Sequence, residues 1–164
     1  MRDRLLRHLT HGRAALRRAF PQAALDAIEA EVRAQEARHR GELRVALEAS
    51  LPLGAMLRGA GPRERALRLF GELGVGGTRE GNGVLVYLLL AERVVEIVAD
   101  RDVARRVPQA EWQRICGVME ERFRQGEFAA GVIAGLRAIA AHLAQHYPAA
   151  GDNPNELPDQ PVVL

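Results

Sequence analysis

The sequence has no lysine, a single cysteine and few aromatic residues. The 23 residues of the Lys and Arg class are all arginines, and only 4% of the 164 residues are Phe, Trp or Tyr. Because Cys116 is alone, an intramolecular disulfide is excluded, which fits a reducing compartment. A core short of aromatic rings must be built mainly from Leu, Val, Ile and Ala. The apolar fraction of 48% is ordinary for a soluble globular domain.

Long apolar runs are also missing. The longest, GVLVYLLLA at residues 83–91, is less than half of the roughly 20 residues that a helix needs to span a bilayer. Arg4, Arg7, Arg13 and Arg17 interrupt every apolar run before residue 20, a pattern unlike a signal peptide. We therefore expect a soluble protein of the cytoplasm, either free or peripheral at the inner membrane. The net charge of +2 argues against a nucleic-acid binder.

Positive charge is concentrated at the N-terminus. Residues 1–20 carry six Arg and one Asp, a local charge of +5 against about −3 for the remainder. Leucines at regular spacing in the same stretch predict an amphipathic helix over residues 1–19. Such a helix is suited to an anionic lipid surface or an acidic partner. The alternative is a solvated helix that packs on the domain by its leucine side. The candidate interaction residues are Arg4, Arg7, Arg13 and Arg17.

Hydrophobic periodicity predicts the remaining elements. Apolar residues at helical spacing indicate helices over 21–40, 62–74, 107–126 and 127–148, and strand-like runs lie at 42–50, 84–91 and 94–99. The first run alternates and predicts a strand with one wet face near a sheet edge. In the helix predicted over 62–74 we expect Leu67, Phe70 and Leu73 to point inward. Trp112 is expected to anchor the core, and Gly131 and Gly135 to allow close packing.

This order of elements predicts an α/β sandwich. The first two strands, joined across a helix, should be parallel, and the third should pair antiparallel with the second through a hairpin at 91–93. We divide the chain into a basic helix at 1–19, an α/β domain at 20–148 and an irregular tail at 149–164. The tail ends in PVVL, which is suited to pair with a sheet edge.

The predicted topology brings several polar residues to one end of the sheet. The third strand ends in EIVADRDV, and its end should lie beside the starts of the other two strands. Asp100 and Asp102 should therefore approach Thr78, Asn82 and Glu42, and Gly41 and His39 lie at the same end. Residues Glu48, Glu92 and Arg93 should lie at the opposite end.

Three stretches of this sequence resemble the TPM domain family. They are RLFGELGVGGTREGNGVLVYLLLAERVVEIVADRDV, EWQRICGVMEERFRQGEF and the closing NELPDQPVVL. The likeness covers roughly residues 20–164 and is greatest to a short bacterial branch of the family. It implies a three-layer α/β/α sandwich with a small mixed sheet. It also implies calcium binding, as in some members, and acid phosphatase activity, as in a plant member.

The resemblance further implies a site and partners. The metal site would lie at the Gly-rich loop and the end of the third strand, at Thr78, Asn82, Asp100 and Asp102. Bacterial relatives accompany membrane-associated proteins of the LemA type. This chain departs from the better-studied branch, because residues 18–20 stand where that branch has acids and the transmembrane segment is missing. Both departures argue against phosphatase activity. In the place of those acids the chain offers His39, Glu42 and Glu48.

The acidic pair itself has two interpretations. Asp100, Asp102 and Glu42, with the oxygens of Thr78 and Asn82, provide ligands for Ca²⁺ or Mg²⁺. Alternatively, Asp100 caps the following turn and Asp102 is solvated. A phosphate could meet backbone N–H groups of GVGGTREGNG at residues 74–83, but this loop lacks the Gly-Lys-Ser/Thr ending of a P-loop and follows a helix instead of a strand. A flexible connector is the simpler interpretation.

Two further metal or nucleophile candidates are weaker. His142 and His146 are four apart and share a helix face, a spacing that suits zinc or nickel, but the sequence offers no third ligand. Cys116 lies on an apolar face, as an inert buried thiol would. The sequence thus predicts a protein- or membrane-surface interaction module that binds a divalent cation, with a metal-assisted acid phosphatase as the alternative. Its expected partners are a membrane-associated LemA-type protein, a second TPM protein or an anionic membrane surface, and no nucleic acid.

Overall fold

The computed structural model describes residues 12–57, 59–151 and 153–164. These residues form seven α-helices and four β-strands. In chain order they are α1 (Arg13–Ala19), α2 (Gln22–Glu36), β1 (Glu42–Glu48), α3 (Leu53–Leu57), α4 (Pro62–Glu72), β2 (Gly83–Leu89), β3 (Val94–Ala99), α5 (Arg101–Arg106), α6 (Gln109–Arg124), α7 (Phe128–His146) and β4 (Val162–Val163).

The sheet is mixed, with the strand order β3-β2-β1-β4. β1 and β2 are parallel and β2 and β3 are antiparallel, as the sequence predicts. The closing PVVL supplies β4, which pairs parallel with β1. Helices cover both faces, so the predicted three-layer α/β/α sandwich is confirmed.

Alternating side chains divide the core into two clusters. Leu43, Val45 and Leu47 of β1 face α1, α2, α6 and α7 together with the even-numbered residues of β2. The opposite face is covered by α4 and the C-terminal segment, where Leu85, Tyr87 and Leu89 pack on Leu69 and Leu157. All seven residues of β2 are buried, as expected for a central strand covered on both sides.

The prediction that β1 has one wet face is wrong, although β1 lies near a sheet edge as expected. All of its residues are buried, because β4 pairs with its outer side and the C-terminal segment covers its polar face. Arg44 donates to the carbonyls of Pro158 (2.5 Å) and Gln160 (2.6 Å), and Glu48 accepts from Arg65 (3.0 Å). The alternation in the sequence is real, but its polar half is buried and paired.

Several helix boundaries also differ from the prediction. α2 ends at Glu36 instead of Arg40, and two short helices, α3 and α5, occupy stretches where no helix is predicted. In α4 the buried residues are Ala66 and Leu69, whereas Leu67 is 51% exposed. Leu67 lies one residue off the inward stripe, which corresponds to about 100° around the helix axis.

Helix α7 is the core helix of the larger cluster. Among the described residues it alone is long and apolar enough to cross a membrane, a criterion that core helices of folded domains also meet. Here seven of its residues are buried, and it packs against α2 and α6. A Cβ on Gly131 would lie 2.6 Å from the Phe123 ring, so the glycine allows α6 to approach closely. Close packing on a neighbouring helix, as expected for this glycine pair, is therefore observed.

Candidate functional site

The predicted site residues lie along one end of the sheet. Glu42 is in register with Gly83, and Val84 is in register with Ala99. The starts of β1 and β2 therefore meet the end of β3, as the predicted topology requires. Glu48 pairs with Leu89 at the opposite end.

Asp100 is the N-cap of α5. Its Oδ1 accepts the N–H of Arg101 at 2.6 Å, and its own N–H donates to the carbonyl of Gly83 at 2.9 Å. The side chain is largely buried. No hydrogen bond reaches Oδ2 from the described residues. Gly81 adopts φ 62°, a conformation that favours glycine, and a Cβ at this position would lie 3.8 Å from Oδ2.

Asp102 is engaged in a contact between α5 and α7. Its Oδ2 accepts the hydroxyl of Tyr147 at 2.6 Å and the Nε–H of Arg106 at 3.0 Å. The Arg106 guanidinium also lies 5.3 Å from the centroid of the Tyr147 ring. The hydrogen bond from Tyr147, followed by that from Arg106, lowers the pKa of Asp102. This carboxylate holds two helices together and is neither free nor simply solvated.

Thr78 and Asn82 shape the loop before β2. Thr78 Oγ1 accepts the backbone N–H of Asn82 at 3.1 Å, and Asn82 Nδ2 donates to the carbonyl of Arg40 at 2.6 Å. Because Nδ2 must face that carbonyl, the orientation of the amide is fixed and Oδ1 points away from it. Asn82 Oδ1 is buried and accepts no hydrogen bond within the described residues. Such an orphaned acceptor is unusual and requires an explanation.

Glu42 is turned to the C-terminal segment and not to Asp100. Its Oε2 accepts the backbone N–H groups of Glu156 (3.2 Å) and Leu157 (3.1 Å). Burial raises the pKa of Glu42, and the two N–H groups oppose this effect. The strand alternation places Glu42 on the face covered by residues 153–160, so it anchors that segment.

An acidic cluster that the sequence did not reveal lies beneath the C-terminal segment. Glu36, Glu42 and Asp159 line a shallow cavity of about 280 Å³, together with Arg33. Burial raises the pKa of Glu36 to about 8, although the Leu43 N–H that it accepts (2.7 Å) acts in the opposite direction. Glu36 follows Ile28 and Val32 at helical spacing, so an acid on an apolar stripe was the available signal.

His39 is a buried histidine next to the site. Its Nδ1 donates to the carbonyl of Gly41 at 3.0 Å, which leaves Nε2 as an acceptor that has no partner within the described residues. Burial lowers the pKa of His39 to about 4, so the imidazole is neutral near pH 7. Asn153 donates to its backbone carbonyl at 3.1 Å and so ties the C-terminal segment to this end of the sheet.

The predicted ligands fit a divalent cation only in part. Within residues 12–57, 59–151 and 153–164, no three His, Cys, Asp or Glu side chains are grouped so that they could hold a metal. Asn82 Oδ1 is buried without a partner there, and the side-chain hydrogen bond of Asp100 is to Oδ1, whereas Asp102, Thr78 and Glu42 are bound elsewhere. Two side-chain oxygens are fewer than the six to eight that Ca²⁺ takes, so water or backbone carbonyls would have to supply the others.

The other sequence candidates have structural partners. The ring of His142 packs edge-on against Trp112, with centroids 5.9 Å apart, and its Nε2 lies 3.6 Å from Glu111 Oε2. Burial raises the pKa of the Cys116 thiol to about 12, as for an inert thiol. Arg4 and Arg7 lie outside the described residues. Arg13 and Arg17 are exposed on α1 and pair with no carboxylate of the described chain.

Comparison with known proteins identifies a family and a set of similar folds. The family model described as TPM domain matches residues 17–142. The solution structure of the BA42 protein from the psychrophilic bacterium Bizionia argentinensis is 26% identical, with a TM-score of 0.76 over 87% of this chain and 93% of that one. No curated protein matches.

Two further solved structures are similar in fold. One is the N-terminal domain of a protein from P. gingivalis, which is 23% identical with a TM-score of 0.62, over 80% of this chain and 82% of that one. The other is the N-terminal domain of cg2496 from Corynebacterium glutamicum, which is 15% identical with a TM-score of 0.57, over 79% and 77% respectively. At these identities the likeness concerns the fold alone.

Proposed function

Because the chain belongs to the TPM domain family, we propose that it is a non-enzymatic binding domain that acts at a protein or membrane surface and takes up a divalent cation at the Asp100 end. The cation would be Ca²⁺ or Mg²⁺, and Asp100 and Asn82 are the residues that would hold it. The partners proposed are a LemA-type protein, a second TPM protein or an anionic membrane.

One observation carries the proposal: most of the predicted site residues are already bound. Asp102 accepts from Tyr147 and Arg106, and Glu42 accepts from two backbone N–H groups. Residues engaged in this way stabilise the fold and are poorly placed to transfer protons. Asn82 Oδ1 is instead buried without a partner within the described residues, a feature that a cation would satisfy.

The alternative is the metal-assisted acid phosphatase that the family resemblance implies. The two unpartnered oxygens of Asn82 and Asp100 would support it, since a cation there could polarise a phosphoryl oxygen. Against it, none of the five cavities described for the fold is lined by Asp100, Asp102, Thr78 or Asn82. We therefore favour binding over hydrolysis.

A calcium titration followed by thermal unfolding tests the cation. Because a ligand that binds only the folded state stabilises it, we expect the melting temperature to rise by about 2–4 °C for each kcal/mol of binding. The variant Asp100→Asn should lose this rise, while keeping the N-cap, because Asn caps helices as well as Asp. The matched control is Asp26→Asn, at an exposed acid on α2.

Two outcomes would contradict the proposal. If millimolar calcium and magnesium leave the melting temperature of the unmodified protein unchanged, the cation is excluded. If the protein hydrolyses p-nitrophenyl phosphate and Asp100→Asn abolishes the activity, the domain is an enzyme and the alternative is correct. Equal hydrolysis by both forms would indicate a contaminant.

A further inference from the structure

Exposed apolar side chains are concentrated at the end of the sheet opposite Asp100. Leu53 and Leu57, both on α3, are 54% and 76% exposed, and Val163 of β4 is 48% exposed. Leucine side chains as exposed as these are unusual on a helix that packs against a domain core. The two leucines are four residues apart, so they lie on the same side of α3 and form a protruding ridge.

Two apolar grooves lie beside this ridge. The first, about 440 Å³ in volume, has Leu51, Leu53, Met56 and Leu164 among its lining residues. The second, about 390 Å³, is lined by Leu16, Phe20, Leu25 and Val163 among others. Helix α1 contributes to both grooves, and the adjacent residues Leu164 and Val163 line the first and the second groove respectively, so the grooves are neighbours.

Among the described residues, the exposed charged side chains that line the two grooves are arginines. Arg13 lines the first groove and Arg17 the second, and neither pairs with a carboxylate of the described residues. Among the described residues, the one acid that lines these grooves is Glu48, in the first groove. It is 4% exposed and already bound by Arg65 and Tyr87. We call the surface formed by Arg13, Arg17, Leu53, Leu57 and Val163 the apolar–basic face.

We infer that the apolar–basic face docks on an anionic lipid bilayer, with Leu53 and Leu57 in the acyl region and Arg13 and Arg17 against lipid phosphates. The two arginines favour an anionic occupant, and the exposed leucine ridge favours a lipid bilayer over a peptide. A peptide seated in the grooves would leave Leu57, three-quarters exposed, in water. A bilayer accepts protruding leucines and places phosphates at the depth of flanking arginines.

The inference deepens the proposed binding function and depends on it, and flotation with vesicles tests it on the full chain. The vesicles are phosphatidylcholine alone and phosphatidylcholine mixed with phosphatidylserine. We expect flotation only with the mixed vesicles. Replacing both leucines (Leu53→Ser with Leu57→Ser) should weaken partition by about tenfold or more, because inserted apolar surface is lost. Reversing the charges (Arg13→Glu with Arg17→Glu) should weaken it by at least about twentyfold.

Matched controls separate a local effect from a general one. Leu67→Ser removes a leucine of similar exposure that lines neither groove, and Arg101→Glu with Arg105→Glu reverses two exposed charges on α5 at the opposite end of the sheet. Both controls should float like the unmodified protein. The replaced side chains are all exposed, so melting temperatures should stay within a few degrees and show that every variant is folded.

Several results would overturn the inference. They are no flotation of the unmodified protein, loss in the arginine variant but not in the leucine variant, and equal loss in the controls. Loss confined to the arginine variant would indicate adsorption by charge, as expected for a site that takes an acidic protein. A protein that passes the calcium and hydrolysis tests but fails to float would keep the proposed binding function and lose this inference.

Discussion

Glu36 lies in a part of the core where a carboxyl would not be expected. It is one turn beyond Val32 on the buried side of α2, next to Glu42 and Asp159. Burial moves its pKa from an ordinary 4.5 to about 8, so the folded protein holds this proton at neutral pH and the unfolded chain does not. Between these two values, stability should fall as pH rises, with a slope approaching about 1.4 kcal/mol per pH unit for this group.

The variant Glu36→Gln isolates this effect. Glutamine keeps an acceptor for the N–H of Leu43 and cannot ionise. We expect the variant to gain stability relative to the unmodified protein as pH rises from 5 to 8, measured by urea unfolding at each pH. His39, whose lowered pKa costs stability as pH falls below about 6.5, contributes to both proteins and cancels in the difference. A difference that stays constant with pH would contradict the raised pKa.

The sequence predicts the position of the candidate site residues better than their bonding. Residue order alone places Asp100, Asn82 and Glu42 at one end of the sheet, and they lie there. It could not show that Glu42 anchors residues 156 and 157, because that contact spans more than a hundred residues. The hydrogen bond from Tyr147 to Asp102 could not be predicted for the same reason, because the two residues are 45 positions apart in the sequence.

At the scale of elements, the contact between α6 and α7 depends on glycine. Gly131 faces Phe123, and Gly135 faces Met119, and both partners are fully buried. A side chain at either glycine would have to displace an atom of a densely packed core. Gly117 of α6, by contrast, is exposed and has no atom near the position of its missing Cβ.

Two alanine substitutions should therefore have opposite effects. Gly131→Ala places a methyl group 2.6 Å from the Phe123 ring and should cost about 1–3 kcal/mol of unfolding free energy. Gly117→Ala should gain about 0.5–1 kcal/mol, because alanine favours a helix and meets no neighbour. Chemical denaturation of both variants measures the difference. Equal effects would show that helix propensity, and not packing, governs this pair.

Periodicity predicts the elements whose apolar residues match their buried residues. β2 is a continuous apolar run and is buried throughout, and α6 and α7 show a clear helical stripe. β1 was misjudged because a strand with charged residues on one side usually faces water. Its charges are instead matched by Arg65 and by carbonyls of residues 158 and 160, which no local pattern can indicate.

For the whole molecule, the outer sides of both β3 and β1 are covered. At β3, Glu120 of α6 accepts the N–H of Val95 (3.1 Å) and Arg63 of α4 donates to the carbonyl of Ile97 (2.7 Å). At β1, the outer side is closed by β4 and the segment before it. Covered edges prevent pairing with strands of other molecules.

Deleting residues 153–164 should undo this protection. Glu42 and Arg44 would lose their partners at buried positions, which should cost about 3 kcal/mol or more of unfolding free energy. The opened β1 edge should cause concentration-dependent association. Calorimetry and light scattering measure the two effects. The control Arg33→Ala removes an exposed guanidinium that pairs with Glu29 and Asp159, and it should cost about 1 kcal/mol or less, with no association. An unchanged midpoint in the deletion variant would contradict the anchoring role.

Strand β4 also gives the molecule a thermodynamic link between its edge and its surface. β4 pairs only two residues with β1, across more than a hundred residues of chain, so its hydrogen bonds should open in native-state exchange before those between β1 and β2. Leu164 donates to the carbonyl of Leu47 (2.9 Å) and lines the larger groove. A ligand that binds only when Leu164 lines this groove must slow hydrogen exchange of the Leu164 amide. Opening of β4 must in turn lower the affinity for that ligand by the same factor.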